Sequence, residues 1–565
     1  MVSIVHRTIP QAPLQHLLKA GQPPLLARLF AARGIMNAQQ LDINLGQLLP
    51  PQTLTHNQKM AQLLADAIAA RKKLLVIGDY DADGATATAV AVKGLRAFGA
   101  DVDFLVPNRF EYGYGLTPEI VALAAKQQPD VIITVDNGIA SVDGVNTANA
   151  LGIQVLITDH HLPASETPAA ACIINPNQHG CTFGSKHLAG VGVMFYALLG
   201  LRSELRERGA YVHNPEPNLT ALLDLVALGT VADLVKLDEN NRILVEQGLR
   251  RIRAGGCSYG IIALMKVAGR DSTRACAQDL GFYVGPRLNA AGRLDDMTLG
   301  IQCLLASTEA EAFQLSKKLH DLNLQRRSIE SEMQDTANVI LDESVVAKQF
   351  SISLYQPDWH QGVIGILASR VKERHHRPVI AFADAGDGMI KGSGRSIAGL
   401  HLRDALDMLS KQSPALIVKF GGHAMAAGLT IRLADFDAFT QGFERVVRSL
   451  ICESDLQAML EVDGSLSEDE MTFQSAQLLE SQVWGQGFSP PMFYDQFEVM
   501  HQRVIGEKHL KLSLKPVSSH ALVDGIYFNQ TEMLDQHIQA AYQLQTNCFN
   551  GAQKVQLNLR YVVVS

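Results

Sequence analysis

Asp79, Asp81 and Asp83 occupy alternate positions directly after the apolar run LLVI (74–77) and Gly78, and Gly84 follows them. A short run rich in branched residues reads as a buried strand, and the small residues Ala85, Thr86 and Ala87 then open a helix. Carboxylates crowded at the end of a buried strand raise one another's pKa unless a cation compensates them. Hard divalent metals accept such oxygen ligands. A capping turn explains one aspartate at such a place and is strained by three. Further groups of the same kind recur: Asp136 after VIITV, Asp159, His160 and His161 after VLIT, and Asp233 after the apolar run 222–232.

The elements that must position these groups alternate. Residues 74–77, 102–106, 131–135 and 155–158 read as strands, and 85–98, 118–127 and 140–150 as helices. Alternation with short connections means a parallel sheet covered on both faces. Ligands of such open sheets bind beyond the carboxyl ends of the strands. Three separate strands therefore deliver carboxylate and imidazole groups to one edge, and Asp233 can reach it from the end of a helix. Each group alone has a plain explanation: VDNG as a turn in which Asp136 bonds its own backbone, His161 as a satisfied buried histidine. Four such coincidences at one sheet edge are less economical than one site.

Composition is that of an ordinary globular protein, with 565 residues, 47% hydrophobic and 19% charged. That length suits about three or four domains, and the composition excludes a disordered chain. The N-terminus, MVSIVHRTIPQAPLQ, lacks the basic and apolar regions of a secretory signal. No apolar run reaches membrane-spanning length, and the best, 222–235, is broken by Asp224 and Asp233. The seven cysteines are scattered, odd in number and without a CxxC pair, which reads as reduced thiols of a cytoplasmic protein with no membrane contact. A net charge of −8 argues against indiscriminate binding to polyanions, so nucleic-acid contact must come from local basic patches or bound metal.

The remaining chain supplies context. Residues 1–45 look helical and carry no chemical signal. Residues 304–341 have helical spacing without Pro or Gly, reading as a long helix that links two lobes, with Lys317, Lys318, Arg326 and Arg327 on its solvated face. A second α/β module follows: strand SISLY, loop QPDWHQGVIG, helix ILASRVKERH, strand PVIAFA. Its GSGRS (392–396) and FGGHAMAAG (420–428) read as Gly-rich turns whose backbone N–H groups approach an anion. Ser393 and Arg395 suit a terminal phosphate and His423 a scissile one, although a lone GxG would be only a tight turn. From about 460 the pattern turns to short alternating strands, an OB-like β-barrel, with Arg503, Lys508, Lys511 and Lys515 as a basic stripe. Tyr112 and Tyr114, set among glycines after Arg109, are candidates to stack a base. The expected divisions are 1–45, 46–260, 261–345, 346–455 and 456–565.

DYDADG, VDNG, TDHH and GTVADL, read in order, resemble the four motifs of the DHH phosphoesterase superfamily. GPRLNAAGR (285–293), WHQGVIGILASR (359–370), GSGRS and FGGHAMAAG extend the likeness to its bacterial single-stranded-DNA-specific 5′→3′ exonucleases. The resemblance spans residues 50 to 565 and implies a parallel-sheet DHH domain joined by a long helix to a DHHA1 substrate-binding domain, with an OB-like barrel last. It implies two Mn²⁺ or Mg²⁺ ions held by Asp81, Asp83, Asp136, His160 and Asp233, with Asp136 bridging. Asp159 would orient His160, and His161 would face the scissile phosphate. Many relatives carry a histidine four residues before the first of these aspartates. Here Ile77 stands there, leaving Asp79 as the substitute. Arg109, Arg287 and Arg370 would complete a 5′-phosphate pocket with Ser393, Arg395 and His423, and Asn289 and Arg293 rank below them.

Two ions can acidify a shared water and steady both the entering and the leaving oxygen of an in-line displacement, so no serine or cysteine nucleophile is needed. The products would be 5′-mononucleotides. The substrate would be single-stranded DNA with a 5′ end, selected by a cleft between two lobes too narrow for a duplex. A monomer served by a single-strand-binding protein and a helicase, acting in recombination and repair, is implied by the resemblance alone. Other enzymes of the superfamily, acting on nano-RNA, cyclic dinucleotides or pyrophosphate, are usually shorter, so the linking helix and barrel favour a polymer substrate. A non-catalytic DNA-binding relative would tend to lose the ligand residues, and all of them are present.

Overall fold

Five short strands build the first sheet: β1 (Lys73–Gly78), β2 (Asp101–Leu105), β3 (Val131–Val135), β4 (Gln154–Thr158) and β5 (Cys172–Ile174). They pair in the order β2-β1-β3-β4-β5, and every pair is parallel. The run reverses between β1 and β3, the kind of switch point at which open α/β sheets hold their ligands. Side chains alternate between faces. Leu75, Ile77, Ile132, Val155 and Ile157 enter one apolar core with α3 (Pro118–Ala125) and α4 (Val142–Ala150). The other face is covered by α1 (Asn57–Ala69), α2 (Ala82–Ala97) and α5 (Gly190–Glu207). Ile77, at the position where relatives carry histidine, is 1% exposed and belongs to the α3/α4 core.

The structure, a computed structural model, describes residues 2–108, 112–113, 115–519, 521–549 and 552–564. The chain divides into two compact units: His6–His320 with Glu461–Ser565, and Asp321–Leu460 with Met1–Val5. The boundary falls inside a 32-residue helix, Glu309–Ile340, close to the span expected from its spacing. Arg326 in that helix is not on a solvated face as expected. It is 9% exposed, bonded to Glu330 and Asn323, while Lys317, Lys318 and Arg327 are exposed. Among the described residues no helix is long and apolar enough to cross a membrane.

In the first unit the N-terminal helices Gln11–Lys19 and Pro24–Ala31 are tied to the segment that leads into the barrel. Arg33 forms a two-pronged ion pair with Asp463 at 2.9 and 2.8 Å, with both side chains at most 2% exposed. The barrel is closed by β11 (Phe493–Ile505), β12 (His509–Pro516), β13 (Val523–Tyr527), β14 (His537–Phe549) and β15 (Ala552–Val564), in the order β11-β12-β13-β15-β14. Full closure leaves no strand edge unpaired.

The second unit carries β6 (Ile352–Gln356), β7 (Val379–Asp384), β8 (Met389–Arg395), β9 (Lys419–Gly422) and β10 (Ala426–Arg432) in the order β9-β10-β8-β7-β6, with only β6 and β7 parallel. GSGRS is not the Gly-rich turn expected, because Gly392 to Arg395 lie in β8 and are paired on both sides. Its glycines serve packing. A Cβ on Gly392 would lie 2.6 Å from the Phe382 ring and one on Gly394 2.7 Å from Leu402. FGGHAMAAG does form a hairpin, β9 to β10, closed by His423 N–H to the Ala426 carbonyl at 2.8 Å.

Candidate active site

Asp81 caps α2. One carboxylate oxygen accepts the N–H groups of Asp83 and Gly84 at 2.9 and 3.0 Å, so the helix begins at Ala82, three residues before the sequence suggested, and Asp83 falls in its first turn. Gly84 is obligatory there, since a Cβ would sit 2.6 Å from the Asp79 carbonyl oxygen. Asp83 is fixed from a second direction. Its two oxygens accept the first N–H groups of α5, Gly190 at 2.6 Å and Val191 at 2.9 Å, where the helix dipole favours a negative charge.

Asp136 follows β3 in the left-handed region at φ 62°, a conformation that costs a non-glycine residue free energy and needs its surroundings to enforce it. Those surroundings are close. Its N–H donates to the Thr158 carbonyl at 3.0 Å, and Gly190 lies so near that a Cβ would be 2.6 Å from Asp136 Cβ. Asn137 beside it donates to the Ile77 and Val135 carbonyls at 3.2 and 2.9 Å, holding β1 and β3 together at the switch point. Asp233 caps the C-terminus of α6 (Leu223–Ala232).

These parts converge. His160 Nε2 lies 3.1 Å from Asp136 Oδ1, 3.5 Å from Asp233 Oδ2 and 3.9 Å from Asp83 Oδ2. Three sets of donor atoms each fall within 4.8 Å of one another: Asp79, Asp81 and Asp136; Asp83, His160 and Asp233; Asp136, His160 and His161. Asp136 is common to two of them. The donors are carboxylate oxygen and imidazole nitrogen without a thiol, a set suited to Mg²⁺ or Mn²⁺.

The electrostatics fit the same occupant. Burial, and then the charge of Asp81, push Asp83 up to about 7. Burial followed by the charges of Asp83 and Asp81 drives Asp136 and Asp233 well above the carboxylate range. Without a cation the cluster relieves its repulsion by taking up protons. A divalent ion among these oxygens would remove the need.

One expected role is corrected. Asp159 does not orient the ring of His160. Its Oδ1 contacts Nδ1 of His161 at 2.7 Å and accepts the N–H groups of His160 and His161, while Oδ2 accepts the Ile139 N–H at 2.9 Å. A carboxylate only accepts, so the proton sits on Nδ1 of His161. Burial opposes that charge, but the bond to Asp159, then the charges of Asp159, Asp233 and Asp79, outweigh it and lift His161 to about 9. Burial likewise pushes Asp159 up and is outweighed by the hydrogen bond and charge of His161, leaving its carboxyl below the usual range.

The acidic loop is braced by Asn289, expected only as a lesser member of the phosphate pocket, and by Gly292, for which the sequence suggested no role. A helix of residues 277–294, π-helical over Asp279–Val284 and then α7 (Gly285–Leu294), runs along it. Asn289 accepts the Ala82 N–H at 2.8 Å, and Gly292 leaves no room for a Cβ, which would lie 1.8 Å from the Tyr80 carbonyl oxygen. The pairing of a small residue with an amide in GPRLNAAGR was the available signal.

The basic candidates are largely engaged within the fold. Arg287 is 8% exposed and donates to the Tyr283 carbonyl at 2.6 Å and to His320 at 3.2 Å. Arg370 pairs with Glu330 at 2.9 Å and Glu373 at 3.3 Å. Neither is the open phosphate donor expected. Arg395 donates to Ser393 Oγ at 3.2 Å, and Gly365 makes room for both, since a Cβ there would approach each to 2.9 Å. His423 is exposed at its hairpin. Arg109 and Tyr114 lie outside the described residues, and Tyr112 packs against the α3/α4 core rather than standing free. In the barrel, Lys511 pairs with Asp524 at 3.2 Å and Lys515 with Glu498 at 3.8 Å and both are half-buried, so of the expected stripe Arg503 and Lys508 are the exposed members.

Comparison with known proteins agrees with this geometry. Residues 73–230 match the DHH family N-terminal domain, 342–449 the DHHA1 domain and 462–561 the RecJ OB domain. The single-stranded-DNA-specific exonuclease RecJ of Escherichia coli (strain K12) is 50% identical over 96% of this chain and 96% of its own, and that of Dickeya dadantii (strain 3937) is equally similar. The crystal structure of RecJ in complex with Mn²⁺ from Thermus thermophilus superposes with a TM-score of 0.83 at 29% identity, over 100% of this chain and 79% of that one. The structure of the same protein in complex with Mg²⁺ gives 0.75 at 28% identity, over 99% and 78%. With half its residues shared end to end and the acidic motifs gathered at the sheet's switch point, the chain belongs to the RecJ family of DHH-domain exonucleases.

Proposed function

We propose that this chain is a 5′→3′ exonuclease that hydrolyses single-stranded DNA to 5′-mononucleotides with two bound Mn²⁺ or Mg²⁺ ions. The observation that carries it is the meeting of Asp136, His160, Asp83 and Asp233 around one imidazole nitrogen, at separations of 3.1 to 3.9 Å. Asp81, Asp83, Asp136, His160 and Asp233 would hold the ions, with Asp136 shared and Asp79 supplying the carboxylate that compensates for Ile77. When bound, such a pair supplies Lewis-acid charge for a phosphodiester and lowers the pKa of water.

The chain's own groups do the rest. Asp159 keeps the proton on Nδ1 of His161 and fixes the ring that would face the scissile phosphate. The α5 amides keep Asp83 ionisable and pointed inward. The enforced φ of Asp136 holds its carboxylate at the switch point. Ser393, Arg395 and His423, with Arg109, are the groups proposed to receive substrate phosphates. The enzyme would act in the cytoplasm as a monomer, in recombination and repair, on strands exposed by a helicase and held by a single-strand-binding protein.

The test uses 5′-phosphorylated oligonucleotides, single-stranded and blunt duplex, with Mn²⁺. Cleavage of the single strand from its 5′ end, lost in Asp136→Ala while DNA binding persists, is the expected result. Equal rates on the duplex would reject the substrate assignment, and retained cleavage in Asp136→Ala would remove that residue from the mechanism.

A further inference from the structure

Two large apolar side chains stand in solvent on the elements that meet near Asp233, Leu234 directly after it and Phe282 in the helix packed on the end of α6. Leu234 is 65% exposed and Phe282 72% exposed. Leu234 also has φ 61°, at the helix-terminal position where glycine is the usual occupant because it bears no Cβ penalty. Phe282 lies in the π-helical stretch Asp279–Val284, a geometry uncommon in general and concentrated at functional sites. That stretch is pressed onto the end of α6. A Cβ on Gly281 would meet Val231 at 3.1 Å and one on Gly285 would meet Ala232 at 3.2 Å, the two residues immediately before Asp233. Further along the same helix, Asn289 and Gly292 touch Ala82 and Tyr80 of the acidic loop. One helix thus connects Phe282 to both sides of the carboxylate cluster.

The neighbouring aromatic is used by the fold. Tyr283 lies under the Arg270 guanidinium at 4.6 Å, whereas Phe282 has no ring or cation contact among the described residues. Resting on the function proposed above, we propose that Phe282, together with Leu234 at the end of the helix its own stretch packs against, is a stacking platform for one base of the single strand and so positions the neighbouring phosphate over the carboxylate cluster. A flat aromatic face tolerates every base, as an enzyme that consumes a strand of any sequence requires. A double helix keeps its bases stacked on each other and offers none to such a platform, so the residue adds preference for single strands on chemical grounds.

The experiment is a double-mutant cycle between protein and substrate. Wild type, Phe282→Ala, Phe282→Trp and Phe282→Leu are assayed on single-stranded oligonucleotides carrying one abasic nucleotide at successive positions from the 5′ end, with thermal midpoints recorded for each. Stacking predicts that Phe282→Ala raises KM about tenfold with little change in thermal midpoint, that Trp restores it and Leu does not. It also predicts one abasic position that costs wild type about as much as the mutation and costs Phe282→Ala nothing further. Independent, multiplying losses at every position, or rescue by Leu, would overturn the proposal. Wild type that fails to cut any single strand would instead overturn the function on which it rests.

Discussion

Remove the divalent ions and raise the pH, and the carboxylate cluster should weaken the protein. Asp83 is lifted from 3.8 to about 7 by burial and by Asp81. The folded state therefore binds its proton more tightly than the unfolded chain does. That contribution to stability is complete below pH 4 and lost as the pH rises through 7. About three pKa units at 1.36 kcal/mol each make the loss about 4 kcal/mol for this group. Asp136 and Asp233 are raised too and act in the same direction. His161, raised to about 9, stabilises below its ordinary 6.5 and loses that contribution as the pH rises through 9, again the same sign. Asp159 is lowered, so its contribution is intact throughout this range. The assay is scanning calorimetry of EDTA-treated protein between pH 5 and 8, with and without Mn²⁺. The midpoint should fall with pH without metal, and the stabilisation by Mn²⁺ should grow with pH because binding displaces protons. Asp81→Asn makes the test specific. Asparagine is an equally good helix cap, so α2 survives, but one repelling charge is gone. The variant should be more stable than wild type at pH 8 without metal, and should lose Mn²⁺-dependent cleavage. A metal-free midpoint that is flat or rises from pH 5 to 8, or an Asp81→Asn variant less stable at pH 8, would refute the electrostatic reasoning.

Two further outcomes follow from packing. Gly292→Ala places a methyl group 1.8 Å from the Tyr80 carbonyl oxygen, which must displace the acidic loop. The expected cost is about 1–3 kcal/mol of stability with a larger loss of Mn²⁺ affinity, read by calorimetric titration, and unchanged affinity would show that the loop is not braced there. Arg33→Ala removes the two-pronged partner of Asp463, whose side chain is 2% exposed, and leaves only Arg7, at 3.8 Å, as a cationic partner among the described residues. The expected loss by urea denaturation is about 3 kcal/mol, the low end for a broken buried pair. Replacing both partners by apolar residues should recover most of it, and failure to do so would show that the single loss came from packing.

The acidic and histidine groups were legible because they obey a rule of sheet geometry. Residues after parallel strands must emerge at one edge, so Asp81, Asp136 and His160 could be placed together without knowing any distance. Contacts that depend on side-chain direction were not. Asp159 is adjacent in sequence to both histidines' turn, and only the fold decides that its oxygen meets His161 at 2.7 Å. The amides that hold Asp83 come from Gly190 and Val191, 107 and 108 residues away, where the sequence offers nothing but small residues at a helix start. Arg326 reads as solvated because charge on a helix usually is, and it is buried because Glu330 and Asn323 satisfy it. GSGRS misleads for a related reason. Glycine marks either a turn or a close approach, and here Phe382 and Leu402 occupy the space a side chain would need. The same ambiguity runs through the site itself, where Gly84, Gly190 and Gly292 are required by proximity to Asp79, Asp136 and Tyr80. A sequence shows which residues can do chemistry. It is silent about which small residues stand close enough to aim them, and those set the cluster's spacing.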